Sequence, residues 1–137
     1  MTGQSEKALP GGLKRAAGAW APVIAYMAVI FALSAQPYLR APTAFGVYDK
    51  LHHVIIYFGL GLVTFRGAVL LPLAGRPGAH AQSLLIGVLY GASDEYHQKF
   101  VAGRTASGLD WLADVAGLVA ALALICVVRK LRANGGR

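Results

Sequence analysis

Four long apolar runs, separated by short polar segments, dominate the pattern of the chain. The first covers residues 16–35 without a charge, and the second begins at Leu51 and stays uncharged through Phe65. The third is uncharged over residues 77–93, and the fourth covers residues 109–128. A helix needs about 20 mostly apolar residues to cross the hydrocarbon core of a bilayer. The pattern therefore predicts an all-α integral membrane bundle of four transmembrane helices.

The ends of the first two runs follow from proline and from length. Pro37 and Pro42 come after the first run and end its helix. Fifteen residues of the second run reach only about 22 Å at 1.5 Å each, so we expect this helix to continue past Arg66, whose stem can reach the interface. The alternative for the first run is a cleaved signal peptide, because Ala32 and Ser34 would suit a small-residue cleavage site after a basic start.

Four spans of about 20 residues use about 80 of the 137 residues, which leaves no room for a separate globular domain. Of the 137 residues, 56% are hydrophobic and 14% are charged, whereas soluble domains carry about 25% charged residues. We expect a disordered cytoplasmic tail over residues 1–15, a four-helix domain over 16–128 and a basic cytoplasmic tail over 129–137. The single cysteine, Cys126, lies in an apolar run, which excludes a disulfide framework and a thiolate metal site.

The basic residues predict the orientation of the bundle. Lys and Arg close to the ends of spans are retained on the cytoplasmic side of a membrane. The two tails and the loop between the second and third runs hold nine of the 13 Lys and Arg, and the other two loops hold four. Both termini are therefore expected to be cytoplasmic. The net charge of +7 flanks spans and shows no readout motif, so we expect contacts with anionic membrane lipids and no nucleic-acid partner.

Five of the six acidic residues fall at the opposite, extracytoplasmic ends of the predicted second, third and fourth helices. They are Asp49, Asp94, Glu95, Asp110 and Asp114. On the second helix, Asp49, His53 and Tyr57 recur at i, i+4 and i+8, which places them in one stripe. On the third helix, Gly87 and Gly91 form a GxxxG pattern on the face of Asp94, so we expect that carboxylate to point into the bundle.

Helix four repeats this arrangement, and a structural alternative applies to the whole set. Asp110 and Asp114 lie on a face that becomes small-residue deeper down, at Gly117. Each carboxylate could simply cap a helix or pair with a cation, the nearest being Lys50, Lys99 and Arg104. Together with His53, Tyr57, His97, Gln98, Lys50 and Arg104, however, the five carboxylates exceed what holding four helices together requires. We therefore expect one common polar site.

Several ordered motifs resemble the VanZ-like family. The chain carries D-K-x-x-H from Asp49, D-E-x-x-Q-x-F from Asp94 and G-R-x-x-S-x-x-D from Gly103, within a likeness that runs from about Phe31 to Gly117. The resemblance implies a small polytopic protein of the bacterial cytoplasmic membrane, in a family whose founding member is associated with resistance to the glycopeptide teicoplanin. The motif residues carried over as binding residues are Asp49, Lys50, His53, Tyr57, Asp94, Glu95, Gln98, Arg104, Asp110 and Asp114. It assigns neither His52 nor His97.

Three functions fit this site. The first is binding or transport of a cell-envelope component, either a lipid-linked cell-wall precursor or a glycopeptide. The second is an intramembrane hydrolase or transferase with His53, Asp94 and Glu95 as catalytic candidates. His53 could act as a general base oriented by a carboxylate, or His53 and the carboxylates could ligate a divalent metal. No HExxH motif is present and Ser93 and Ser107 lack a demonstrable base, so no metal and no cofactor are assigned.

The third function is a structural or regulatory membrane subunit whose polar cluster fixes the packing. A GxxxG pattern packs helices within one chain as readily as between chains, so the oligomeric state stays open. Substitution of Asp94 by Asn separates the alternatives. A functional site predicts lost activity at normal membrane abundance, whereas a structural role predicts degradation or misinsertion.

Overall fold

The structure is a computed structural model that describes residues 11–37, 46–71 and 78–136. Within these ranges the chain forms four α-helices. They are α1 (Gly11–Ser34), α2 (Gly46–Leu70), α3 (Ala79–Gln98) and α4 (Gly108–Gly135). No strand occurs within these ranges. The all-α prediction is confirmed, and so is the continuation of the second helix past Arg66.

The outer helices are longer than the apolar runs that predicted them. α1 begins at Gly11 and α4 ends at Gly135, so residues 11–15 and 129–135 are helical where we expected tails. An apolar run marks only the apolar part of a helix. Polar residues can continue the helical hydrogen bonds beyond that run while their side chains reach water. The rest of the predicted N-terminal tail, residues 1–10, and Pro42 lie outside the described residues.

Three of the four helices are long and apolar enough to cross a membrane: α1, residues 48–70 of α2, and α4. α3 has 20 residues and is less apolar, because its buried positions are polar or small. Two of its leucines point outward, since Leu85 and Leu89 are each 60% exposed. Outward Leu beside buried Ser and Asp suits a helix between lipid and a polar interior. That α3 crosses the membrane, like the cytoplasmic placement of the termini, stays a prediction.

α2 is the central helix and packs against each of the other three, most extensively against α4. The two backbones approach closely at Gly117 of α4, where a Cβ atom would collide with the carbonyl oxygen of Val54. They approach again at Gly61 of α2, where a Cβ would lie 2.8 Å from the Cβ of Ala121. This approach brings the polar ends of α2 and α4 into direct contact.

The connection between α3 and α4 is attached to its neighbours. Gly103 turns the chain with a φ of +80°, a conformation that glycine adopts without strain. The Arg104 guanidinium then donates to the backbone carbonyls of Leu33 and Gln36, at 3.2 Å each. Ser107 is the N-cap of α4, and its hydroxyl accepts from a backbone N–H of the first turn. The connection therefore links the end of α1 to the start of α4.

Candidate functional site

A cavity of about 280 Å³ lies between the polar ends of α1, α2 and α3. Its apolar wall consists of Ile30, Leu33 and Ile56. Six of the ten predicted binding residues also line it: Asp49, His53, Tyr57, Asp94, Gln98 and Arg104. The predicted stripe on the second helix is confirmed, because all three of its members face this one cavity.

Asp94 is the most fully hydrogen-bonded carboxylate of the cavity. It is only 5% exposed, so the expectation that it points into the bundle is confirmed. The Ser34 hydroxyl of α1 donates to its Oδ1 at 2.6 Å, and the Gln98 amide donates to its Oδ2 at 3.0 Å. Gly87 and Gly91, on the same face of α3, are buried as well. Asp94 thus ties α1 to α3 at the cavity wall.

His53, Asp114 and Glu95 form a second group where α2, α3 and α4 meet. His53 Nδ1 lies 2.8 Å from Asp114 Oδ1, and the backbone N–H of Ser107 donates to Glu95 Oε2 at 2.8 Å. Asp114 is 1% exposed and Glu95 is 7% exposed. Within the described residues, Asp114 Oδ2, Glu95 Oε1 and the Tyr57 hydroxyl are buried without a hydrogen-bond partner. This group therefore has unused capacity for a proton donor or a cation.

Lys50 and Asp110 pair with each other at the rim of the site. Lys50 Nζ lies 2.5 Å from Asp110 Oδ1, and the lysine side chain is 39% exposed. The Asp110 side chain is only 11% exposed, so the pair is partly buried. Lys99 lies instead over the ring of Tyr96, 5.4 Å from its centre. Lys50 and Asp110 thus form one ion pair at the rim, whereas the buried carboxylates Asp94, Glu95 and Asp114 form no ion pair with Lys or Arg in the described parts of the chain.

Arg104 is the cation of the cavity. A guanidinium carries five N–H donors, and two of those on Arg104 donate to backbone carbonyls at the end of α1. The other three have no partner among the described residues, and the side chain lines the cavity. The backbone contacts hold the group in position, so Arg104 can present the remaining donors to an anion.

The structure adds two serines that the sequence analysis did not place in the site. Ser34 lies near the end of the first apolar run, where its small side chain indicated only a signal-peptide cleavage site. Ser107, the serine of the G-R-x-x-S-x-x-D motif, donates its backbone N–H to Glu95 and caps α4. His52 lines the cavity as well, although the family pattern did not assign it. All ten predicted binding residues lie in the cavity wall or in the groups beside it.

Comparison with known proteins identifies the family. A family model described as VanZ/LLP1 matches residues 19–129, which is most of the chain and includes every candidate site residue. No curated protein matches the chain, and no solved structure matches it.

Proposed function

This chain belongs to the VanZ/LLP1 family of membrane proteins, and we propose that it binds a cell-envelope component in the cavity between α1, α2 and α3. The observation that carries the proposal is the cavity wall, in which Arg104, Asp49 and Asp94 face Ile30, Leu33 and other apolar side chains. Ligand pockets commonly combine an apolar wall with a few convergent polar groups. The distribution of basic residues supports an extracytoplasmic position for this cavity.

The size and chemistry of the cavity favour a lipid-linked cell-wall precursor as the ligand. A volume of about 280 Å³ suits a phosphate or sugar group better than an entire glycopeptide, because pockets for drug-sized ligands already measure about 300–1,000 Å³. The free donors of Arg104 suit a phosphate, and the exposed Asp49 carboxylate suits hydroxyl or amine groups. Under this proposal, any link to teicoplanin tolerance runs through the precursor that the protein binds.

Mass spectrometry of co-purified lipid tests the proposal. We expect wild-type protein, extracted in mild detergent, to carry a phosphorylated envelope lipid well above its share of the membrane. Replacement Arg104→Gln should lower the bound lipid at least about tenfold, since loss of a charge-assisted hydrogen bond costs about 1.5–3 kcal/mol. Lys99→Gln is the matched control, because Lys99 is a nearby exposed cation that does not line the cavity.

Two results would contradict lipid binding. One is wild-type protein whose lipids match the bulk membrane, and the other is an Arg104→Gln protein that retains the bound lipid. Because Arg104 also holds the end of α1, helical content and elution volume must be compared with wild type. Asp49→Asn serves as a second variant, since Asp49 is exposed and its replacement leaves those backbone contacts intact.

The contact between His53 and Asp114 favours an enzyme as a second candidate. A carboxylate 2.8 Å from Nδ1 fixes the tautomer and orientation of the imidazole, which suits the ring to act as a general base toward a group in the cavity. Hydrolysis or transfer at a lipid-linked phosphate would then consume the bound precursor. His53→Gln should abolish this turnover while lipid still co-purifies, and absence of turnover by wild-type protein would exclude the candidate.

A further inference from the structure

Two buried carboxylates and one imidazole meet beside the cavity with unused ligand atoms. His53, Glu95 and Asp114 each offer an atom that lies within 4.8 Å of the other two. Independently of this proximity, Asp114 Oδ2 and Glu95 Oε1 are buried and have no hydrogen-bond partner in the described parts of the chain. Both side chains are more than nine-tenths buried. A clustered pair of carboxylates with two vacant oxygens requires a positive or proton-donating group close by.

The protein itself supplies little positive charge to this group. Lys50 pairs with Asp110 at the rim, and the guanidinium of Arg104 donates to the end of α1. Among the described residues, the titratable partner of Asp114 is His53, and the partner of Glu95 is a backbone N–H. Two buried carboxylates beside one imidazole therefore lack a lysine or arginine that would balance them.

We propose that His53, Glu95 and Asp114 form a binding site for one divalent transition-metal ion. One nitrogen and two carboxylate oxygens are the ligand types that Zn²⁺ and Mn²⁺ accept. Ligands around one such ion span up to about 4 Å, so a small side-chain rotation closes the present separation. The ion would balance both carboxylates and join α2, α3 and α4 where they meet. This inference does not depend on lipid binding.

A neighbouring group is the rival location for the ion. Asp49, His53 and Asp110 also bring potential ligand atoms together, but Asp49 is exposed and Asp110 already accepts from Lys50. Neither of these two carboxylates has a buried oxygen without a partner. The buried oxygens without a partner belong to Glu95 and Asp114, which favours the group of His53, Glu95 and Asp114 as the location of the ion.

Metal titration of the full chain, without a histidine tag, tests this site. Chelator-treated protein in detergent should bind about one Zn²⁺ per chain by calorimetry, and Zn²⁺ should raise its unfolding temperature because the ion binds the native state. Glu95→Gln and Asp114→Asn should each weaken Zn²⁺ binding about 100-fold or more, which exceeds the roughly 10–100-fold effect of losing a group that only orients a ligand. Asp49→Asn and Asp110→Asn are matched controls and should retain the wild-type affinity.

Each other outcome is decisive. Absence of Zn²⁺ and Mn²⁺ binding by wild-type protein would overturn the site. Binding of Mg²⁺ or Ca²⁺ alone would overturn the assignment to a transition metal. Loss of affinity in the Asp49 variant with full affinity in the Glu95 variant would move the ion to the rim. If Asp114→Asn does not fold, Glu95→Gln and His53→Gln decide the result, and metal affinity is measured without reference to bound lipid.

Discussion

At the scale of single residues, Asp94 connects structure to the proposed function. Its two oxygens accept from different helices, through Ser34 on α1 and Gln98 on α3, and it also lines the cavity. A buried acceptor with two donors directed at it is costly to remove, because the donors then lose their acceptor. A change of charge at Asp94 and a change of shape should therefore have different consequences.

Asp94→Asn should preserve the fold and lower lipid binding. The Asn amide can donate to Ser34, whose hydroxyl already lies 3.1 Å from the Phe31 carbonyl and can donate there instead. The Asn oxygen continues to accept from Gln98. We expect membrane abundance close to wild type, with less co-purified lipid because a neutral amide accepts more weakly than a carboxylate from the hydroxyl or amine groups of the ligand.

Asp94→Ala should destabilise the protein by about 1–3 kcal/mol, because the buried Gln98 amide loses its acceptor and the Ser34 hydroxyl keeps only the longer contact with the Phe31 carbonyl. The free energy of unfolding in mixed micelles measures this difference. Ser93→Ala is the control, since the neighbouring Ser93 is exposed and its hydroxyl contacts only the carbonyl of Tyr90. Degradation of Asp94→Asn in cells would instead support a purely structural role for the polar cluster.

The residues of the site could be predicted, but some of their partners could not. The spacing of Asp49, His53 and Tyr57 specifies that they share one face of a helix, and the structure places them on one cavity wall. The pairing of His53 with Asp114 depends on the relative rotation and depth of two helices. Spacing within one helix contains no information about either quantity, so the partner of His53 emerged only from the packing.

At the scale of the helices, the crossing of α2 and α4 determines that pairing. Gly117 lies one turn below Asp114, and Val54 directly follows His53. The absence of a side chain at Gly117 lets the two backbones touch, which brings His53 and Asp114 within hydrogen-bond distance. The small-residue face of helix four predicted a close approach, and the structure identifies α2 as the helix that uses it.

Gly117→Ala should therefore destabilise the bundle and disturb the site together. The new methyl group would meet the backbone of α2, which cannot move aside as a flexible side chain could, so we expect a cost of about 1–3 kcal/mol. Gly18→Ala is the matched control, because a Cβ at Gly18 of α1 meets nothing within 4 Å. Alanine favours a helix by up to about 1 kcal/mol over glycine, so this control should be at least as stable as wild type.

In Gly117→Ala, we expect both a lower free energy of unfolding in mixed micelles and a weaker affinity for Zn²⁺. Equal stability of the Gly117 and Gly18 variants would show that α4 can move away from α2 at little cost. The close crossing would then not be what holds His53 against Asp114.

The helices, like the site, have features that nearby residues determine and features that only packing between helices determines. Apolar length predicted the four helices and the extension of α2, because these depend on residues close in sequence. The hydropathy of α3 does not reveal which face is buried, since its buried positions include Gln82 and Ser83 while Leu85 and Leu89 face outward. Such a helix has modest hydropathy because its polar face points into the bundle, and only the packing identifies that face.

At the scale of the whole molecule, the division of charge predicts how the bundle lies in the membrane. Nine basic residues and one acidic residue belong to the side of the termini, and four basic and five acidic residues belong to the other side. Retention of Lys and Arg in the cytoplasm would direct the cavity toward the cell envelope. A ligand from the cell envelope requires this orientation, so a measurement of the topology also tests the proposed function.

Single-cysteine labelling in spheroplasts should confirm this orientation. In a Cys126→Ser background, Lys99→Cys should react with a membrane-impermeant maleimide in intact spheroplasts, because exposed Lys99 follows the cavity end of α3. Arg132→Cys, on the exposed basic end of α4, should react only after permeabilisation. The Cys126→Ser protein alone should take up no label. A reversed pattern would place the cavity in the cytoplasm, and the ligand would then have to be a cytoplasmic molecule and not a component of the envelope.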